Sequence, residues 1–116
     1  MSPASIITEP VTRDFLKKLA EERYGDMVKA VVDLKRGVMA LGTHMHADAE
    51  EMLLHDGSLQ EDLWGVNIHP EQSDDLLIEV DSMINIRPWQ NNRSRDITDD
   101  IIRSQVLGLT RSFILP

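Results

Sequence analysis

Two apolar runs separated by only three residues constrain this chain more than any other feature. MVKAVVDL (27–34) and VMALG (38–42) flank Lys35, Arg36 and Gly37. A parallel pairing would need a crossover of about a dozen residues, so the two runs can only pair as an antiparallel hairpin. Glycine at the end of the turn supplies the left-handed backbone that such a connection demands. A second pair repeats the arrangement, with DLWGVNIHP (62–70) and LLIEVDSMINI (76–86) on either side of a polar turn, Glu71 to Asp75. In its second strand Leu76, Ile78, Val80, Ile84 and Ile86 are expected on one face. Glu79, Asp81, Met83, Asn85 and Arg87 are expected on the other, together with Asn67 and His69 of the paired strand.

Helices are read before, between and after these hairpins. In EPVTRDFLKKLAEERYGD, Thr12 is placed to cap a helix, Asp14 complements its positive end, and Phe15, Leu16, Leu19 and Ala20 form an apolar stripe that stops at Gly25. HADAEEMLLHDG reads as a short helix ended by Gly57. In ITDDIIRSQVLGLTRSFI, Thr98 is expected as the cap, and Ile102, Val106, Leu109 and Phe113 follow the spacing of a buried helical face. The order is α-ββ-α-ββ-α. It predicts one α+β domain over residues 1–116, a mostly antiparallel four-stranded sheet with the helices packed on one face.

The chain has no cysteine among its 116 residues, which removes disulfides, thiolate zinc sites and cysteine nucleophiles. No apolar run reaches the roughly 20 residues of a membrane span, and MSPASIITEP lacks the pattern of a secretory signal. A cytoplasmic protein without membrane contact is expected. A net charge of −8 argues against nucleic acid as a partner, because phosphate backbones would be repelled.

That charge is unevenly spread. Between Gly37 and Ile86 there is no Lys or Arg, while the stretch carries eleven Asp and Glu and all four His. From Arg87 onward five arginines face three aspartates. Arg87, Arg93 and Arg95 fall within nine residues of each other, among Asn85, Gln90, Asn91, Asn92 and Ser94. Guanidinium forks match carboxylate and phosphate oxygens, and amides and hydroxyls add neutral donors, so the 85–97 loop reads as an anion grip. Asn67, Asp81, Asn85, Arg87, Asn91, Arg93, Ser94 and Arg95 are the expected ligand-binding residues. The rival is that the arginines pair with the protein's own Asp62, Asp81 or Asp96. Neither a Walker loop nor a dinucleotide fingerprint occurs, and no cofactor is expected.

THMHADAEE (43–51) is the second polar constellation. His44, His46 and Asp48 open an H-x-H-x-D pattern known from zinc hydrolases, but Ala49 stands where that pattern needs a further histidine. The simpler reading gives Thr43 or His46 the role of a helix cap, with Asp48 and Glu50 favouring the helix dipole. No metal is therefore expected, and His46 and Asp48 remain the candidates for acid–base chemistry. No serine sits in a nucleophile elbow. Trp64 reads as core. Trp89, in the loop, is free to stack on a ligand or to bury against a second subunit.

GDMVKAVVD, HADAEEMLLHDGSLQEDLWGVNI and EVDSMINIRPWQNNRSRDITDDIIR resemble a family of small uncharacterised prokaryotic proteins, a domain of unknown function. The resemblance spans roughly Gly25 to Arg103. It implies a compact domain and carries no activity. The family pattern reads LHADAE where this chain has MHADAE, so the likeness covers His46 and not His44.

Three functions from different classes fit these residues. One is a module binding a small phosphorylated or carboxylated anion, with enzymatic action left open. The next is a non-catalytic homodimer whose arginine loop meets acidic residues and whose partner covers the sheet edges. The third is a metal-dependent hydrolase around His46 and Asp48.

Overall fold

The computed structural model describes all 116 residues. Its elements run β1 (Ser5–Ile7), α1 (Arg13–Glu21), β2 (Val28–Asp33), β3 (Val38–Leu41), α2 (His46–His55), β4 (Leu63–Ile68), β5 (Ile78–Glu79) and α3 (Asp100–Ser112). The five strands form one sheet in the order β1-β3-β2-β4-β5, antiparallel throughout. Both hairpins are present. In the first, Gly37 takes φ +67° and the Asp33 carboxylate accepts from the Lys35 and Arg36 N–H groups at 2.8 and 2.9 Å. No helix is long and apolar enough to cross a membrane.

The α+β class and the antiparallel pairing match the sequence reading, but three details of the expected architecture are corrected. The sheet has five strands because Ser5–Ile7 pairs with Met39–Leu41. The long second strand of the 62–86 hairpin shrinks to Ile78 and Glu79, which pair with Ile68 and Asn67. Beyond Val80 the chain turns through a 3-10 turn, Met83–Asn85, whose Ile84 N–H is taken by the Ser82 hydroxyl.

The third correction concerns the layers. Val28, Ala30 and Val32 of β2, with Trp64, Val66 and Ile68 of β4, pack against Leu16 and Leu19 of α1, Val106 of α3 and Phe113 at the end of α3. Val31, Val38, Ala40 and Leu63 point the other way, onto Ala49 and Leu53 of α2. Helices therefore cover both faces, as the alternation of side chains along each strand requires. Ile84 packs with the α2 cluster, while Ile78 and Val80 lie in the other, so the expected single-face alternation breaks after Ser82.

Helix ends follow local chemistry. The Thr12 hydroxyl accepts the Phe15 N–H at 3.1 Å, as expected. At α3 the cap is Asp99, whose carboxylate takes the Ile101 and Ile102 N–H groups; Thr98 instead bonds Asn92. The C-terminus of α2 closes through Gly57, with Ser58 N–H on Leu53 C=O and Gly57 N–H on Leu54 C=O. Its N-terminus, at Met45, has no side-chain cap, and the Thr43 hydroxyl donates to the Met45 carbonyl.

Candidate functional site

A helix of ten residues spans about 15 Å, too short to cover the sheet face on which it lies. α2 shields Val31, Ala40 and Leu63 and leaves open the end that carries Lys29 and Asn67. There a cleft of about 250 Å³ forms between the N-terminus of α2, the sheet and the 79–84 segment, with Arg95 on its wall.

Its chemistry is polar at depth. His46, the first residue of α2, is buried and its Nε2 lies 2.8 Å from the Val66 carbonyl. A carbonyl only accepts, so Nε2 carries the proton and Nδ1 is the ring's lone-pair nitrogen in the neutral form. Burial lowers the His46 pKa below the usual imidazole value, with the Val66 hydrogen bond opposing it and nearby Lys29 adding to it. Asn67 is 5% exposed; its Nδ2 donates to Glu79 Oε1 at 3.1 Å and to the Asp81 carbonyl at 3.3 Å. Its Oδ1 is buried without a partner. Glu79 also meets His69 at 3.2 Å, and the Asn67 and His69 contacts hold its pKa below the ordinary carboxylate value.

The cations of the cleft differ. Arg95 Nε donates to Asp81 Oδ1 at 2.5 Å. The Lys29 ammonium lies 4.8 Å from the Tyr24 ring centre and makes no ion pair. The His46 and Ala47 N–H groups at the uncapped start of α2 also have no partner within the protein. A shallower groove of about 570 Å³ shares Glu79, Asp81 and Arg95. Both of its arginines are paired, Arg103 with Asp96 and Arg95 with Asp81, which leaves little positive charge free for an anion.

The fold thus scatters the residues of the expected anion grip. Asn67, Asp81 and Arg95 line the cleft beside His46, the acid–base candidate, and Ser94 lies in the shallower groove, its hydroxyl accepting the Asp96 N–H. Asp48 is exposed in the first turn of α2 and does not line the cleft. Arg93 is exposed and unpaired.

Asn85 and Arg87 do something else: they complete the edge of β4. Strand β5 reaches only Asn67. Two residues on, the Asn85 amide accepts the Gly65 N–H at 2.8 Å and donates to the Gly65 C=O at 3.0 Å, as a strand would. Two residues further, the Arg87 guanidinium donates to the Leu63 carbonyl, reaches the Gln60 carbonyl and stacks 4.1 Å over Trp64. Arg87 is 1% exposed, and burial lowers its pKa against the pull of Glu50. Asn91 sits at φ 59° in the turn between Arg87 and Asn92, a conformation that asparagine tolerates. Asn92 ties the loop together through the Asn85, Ser94 and Asp96 carbonyls.

Sequence reading missed Lys29 and gave Glu79 no role. The available signal for Lys29 was its position as the one charged residue amid the apolar positions 27–32. His44 is exposed, and no three His, Asp and Glu side chains come together in a geometry suited to a metal ion.

These features define a small α+β domain with an antiparallel core sheet and a cleft between the start of α2, the sheet and the 79–84 segment. The chain belongs to DUF5674, a family of proteins of unknown function, whose pattern matches residues 5–113. The match extends beyond both ends of the 25–103 stretch that carries the resemblance in the sequence. Neither a curated protein nor a solved structure matches the chain.

Proposed function

We propose that the domain binds a small anion, a carboxylated or phosphorylated metabolite, in the cleft at the N-terminus of α2. The observation that carries this reading is the uncapped start of α2, which opens into a cleft lined by a lysine without a carboxylate partner. Free N–H groups and the positive end of the helix dipole favour an anionic group there. Lys29 would add a full charge and Arg95 a second one, shared with Asp81. The proposed anion site thus lies at the start of α2 rather than in the 85–97 loop, with Arg95 as the one arginine of that loop still involved.

Inorganic phosphate and acetate, titrated against the protein by thermal melting, test this. A ligand that binds only the folded state raises the melting temperature by mass action, with about 2.7 kcal/mol available at a hundredfold excess over Kd. Lys29→Gln should abolish the gain, and Arg93→Ala should leave it intact. Melting unaffected by either anion at millimolar concentration would defeat the reading.

One observation favours a second reading, a homodimer. Trp89 is 71% exposed in a turn that Gln90 fastens to the Glu61 carbonyl, and Leu59 is 51% exposed. Light scattering separates the two readings, since a 26 kDa species that Trp89→Ser reduces to 13.2 kDa would establish the interface.

A further inference from the structure

We propose that the ligand of the cleft is an amino acid with an apolar side chain, its carboxylate at the start of α2 and Lys29, its ammonium at Asn67 and Glu79. The inference rests on the anion-binding reading and narrows its ligand class.

Three independent features of the cleft lead there. The positive end is the one already described, the His46 and Ala47 N–H groups beside Lys29. The second feature is a demand for donors that a plain anion cannot meet. Asn67 Oδ1 is buried and unpartnered, and its orientation is fixed because Nδ2 already serves Glu79 and the Asp81 carbonyl. A buried acceptor without a donor costs free energy, and next to it stands the Glu79 carboxylate. An ammonium group would donate to both. His46 faces the same amide; the Asn67 contact favours its charged form, but burial outweighs it, and the neutral ring offers only a lone pair at Nδ1.

The third feature is apolar. Met27, Met45 and Met83, half of the six methionines in the chain, line the same cleft. Met45 is 58% and Met83 66% exposed, on segments at either side of the cleft. A site for a purely ionic ligand has no use for thioethers at its mouth. An unbranched, polarisable side chain closes readily over apolar groups of differing shape, which suits a class of apolar side chains better than one member. An anion, a donor cation and an apolar branch on one small molecule make up an apolar α-amino acid.

Isothermal titration of the full chain separates the parts of this ligand. The probes are L-leucine, L-methionine and L-phenylalanine, their deaminated acids, their decarboxylated amines, glycine and inorganic phosphate. At least one of the three amino acids is expected to bind roughly tenfold or more tightly than its acid, its amine and glycine, a loss in keeping with one charged hydrogen-bonded group. Glu79→Gln, at an exposed side chain, should remove the preference over the deaminated acid. Met45→Ser with Met83→Ser should weaken the amino acid and spare phosphate. Deaminated acids binding as tightly as the amino acids would overturn this inference and leave the anion site standing. Absence of binding by every carboxylate and by phosphate would overturn both.

Discussion

Replacing Asn85 by alanine tests whether side chains stand in for a strand along the outer edge of β4. Asn85 is fully buried and makes three hydrogen bonds, to Gly65 N–H at 2.8 Å, Gly65 C=O at 3.0 Å and Arg95 C=O at 2.9 Å. Truncation leaves the Gly65 N–H buried without an acceptor, which costs about 1–3 kcal/mol. The two carbonyls lose a donor each, at about 1 kcal/mol apiece, so the total is about 3–5 kcal/mol. That is a large share of the roughly 5–15 kcal/mol that holds a domain folded. Urea denaturation should show the loss as a lower midpoint with an unchanged slope, and hydrogen exchange at Gly65 should accelerate. Asn85→Asp sharpens the test. The carboxylate still accepts from Gly65 N–H but sets an anionic oxygen against two carbonyls. Acidification protonates it and restores a donor, so this variant should gain stability relative to wild type as the pH falls through the carboxyl range. A loss under about 1 kcal/mol for alanine, or an aspartate variant indifferent to pH, would refute the edge-completion argument.

Three further outcomes follow from the same geometry. Arg93→Ala should change stability by less than about 0.5 kcal/mol in a urea melt, since the side chain is exposed and unpaired. Gly65→Ala should destabilise by about 1–3 kcal/mol, the reverse of the usual gain from replacing a strand glycine, and Ser82→Gly should partly rescue it. The added Cβ would lie 2.6 Å from Ser82 Cβ and Oγ and 3.2 Å from His46 Cδ2. Burial, then repulsion from Asp33 and Glu61, raises the Asp62 pKa above its unfolded value. The folded state therefore holds that proton more tightly, its relative stability is greatest in acid, and it is lost as the pH rises through the folded pKa. Asp62→Asn should accordingly melt higher than wild type at neutral pH and no higher at pH about 3, where both states are protonated.

Local chemistry made part of the fold legible. Gly37 and the three-residue gap required the first hairpin, and Thr12 capped its helix as its position implied. The sidedness of the helices is legible too. β2 and β3 are mostly apolar and buried at nearly every position, a pattern that signals cover on both faces, whereas the order α-ββ-α-ββ-α suggests cover on one. By contrast β1 is three residues long, too short to show a period, and exists because β3 offers it an edge. The end of β5 was hidden for another reason. Apolar and polar residues continue to alternate through Ile86, so nothing in the pattern marks where Ser82, seated against the bare face of Gly65, turns the chain away.

The same break decides the fate of the arginine loop. Along the outer edge of β4, main-chain groups recur every second residue at Asn67, Gly65 and Leu63. β5 answers only the first of them. Each of the others must find a partner or remain buried and unsatisfied, and the residues that meet them are Asn85 and Arg87, themselves two apart. A guanidinium carries enough donors to serve two carbonyls and the Gln90 side chain at once, and its flat face suits Trp64. Those properties are the ones that suit an anion, so residue type alone cannot separate the uses; what separates them is whether the local backbone already has its hydrogen bonds. Where the edge is unmet the arginine turns inward, and where Asn92 has already satisfied the loop carbonyls Arg95 is left to face Asp81 and the cleft.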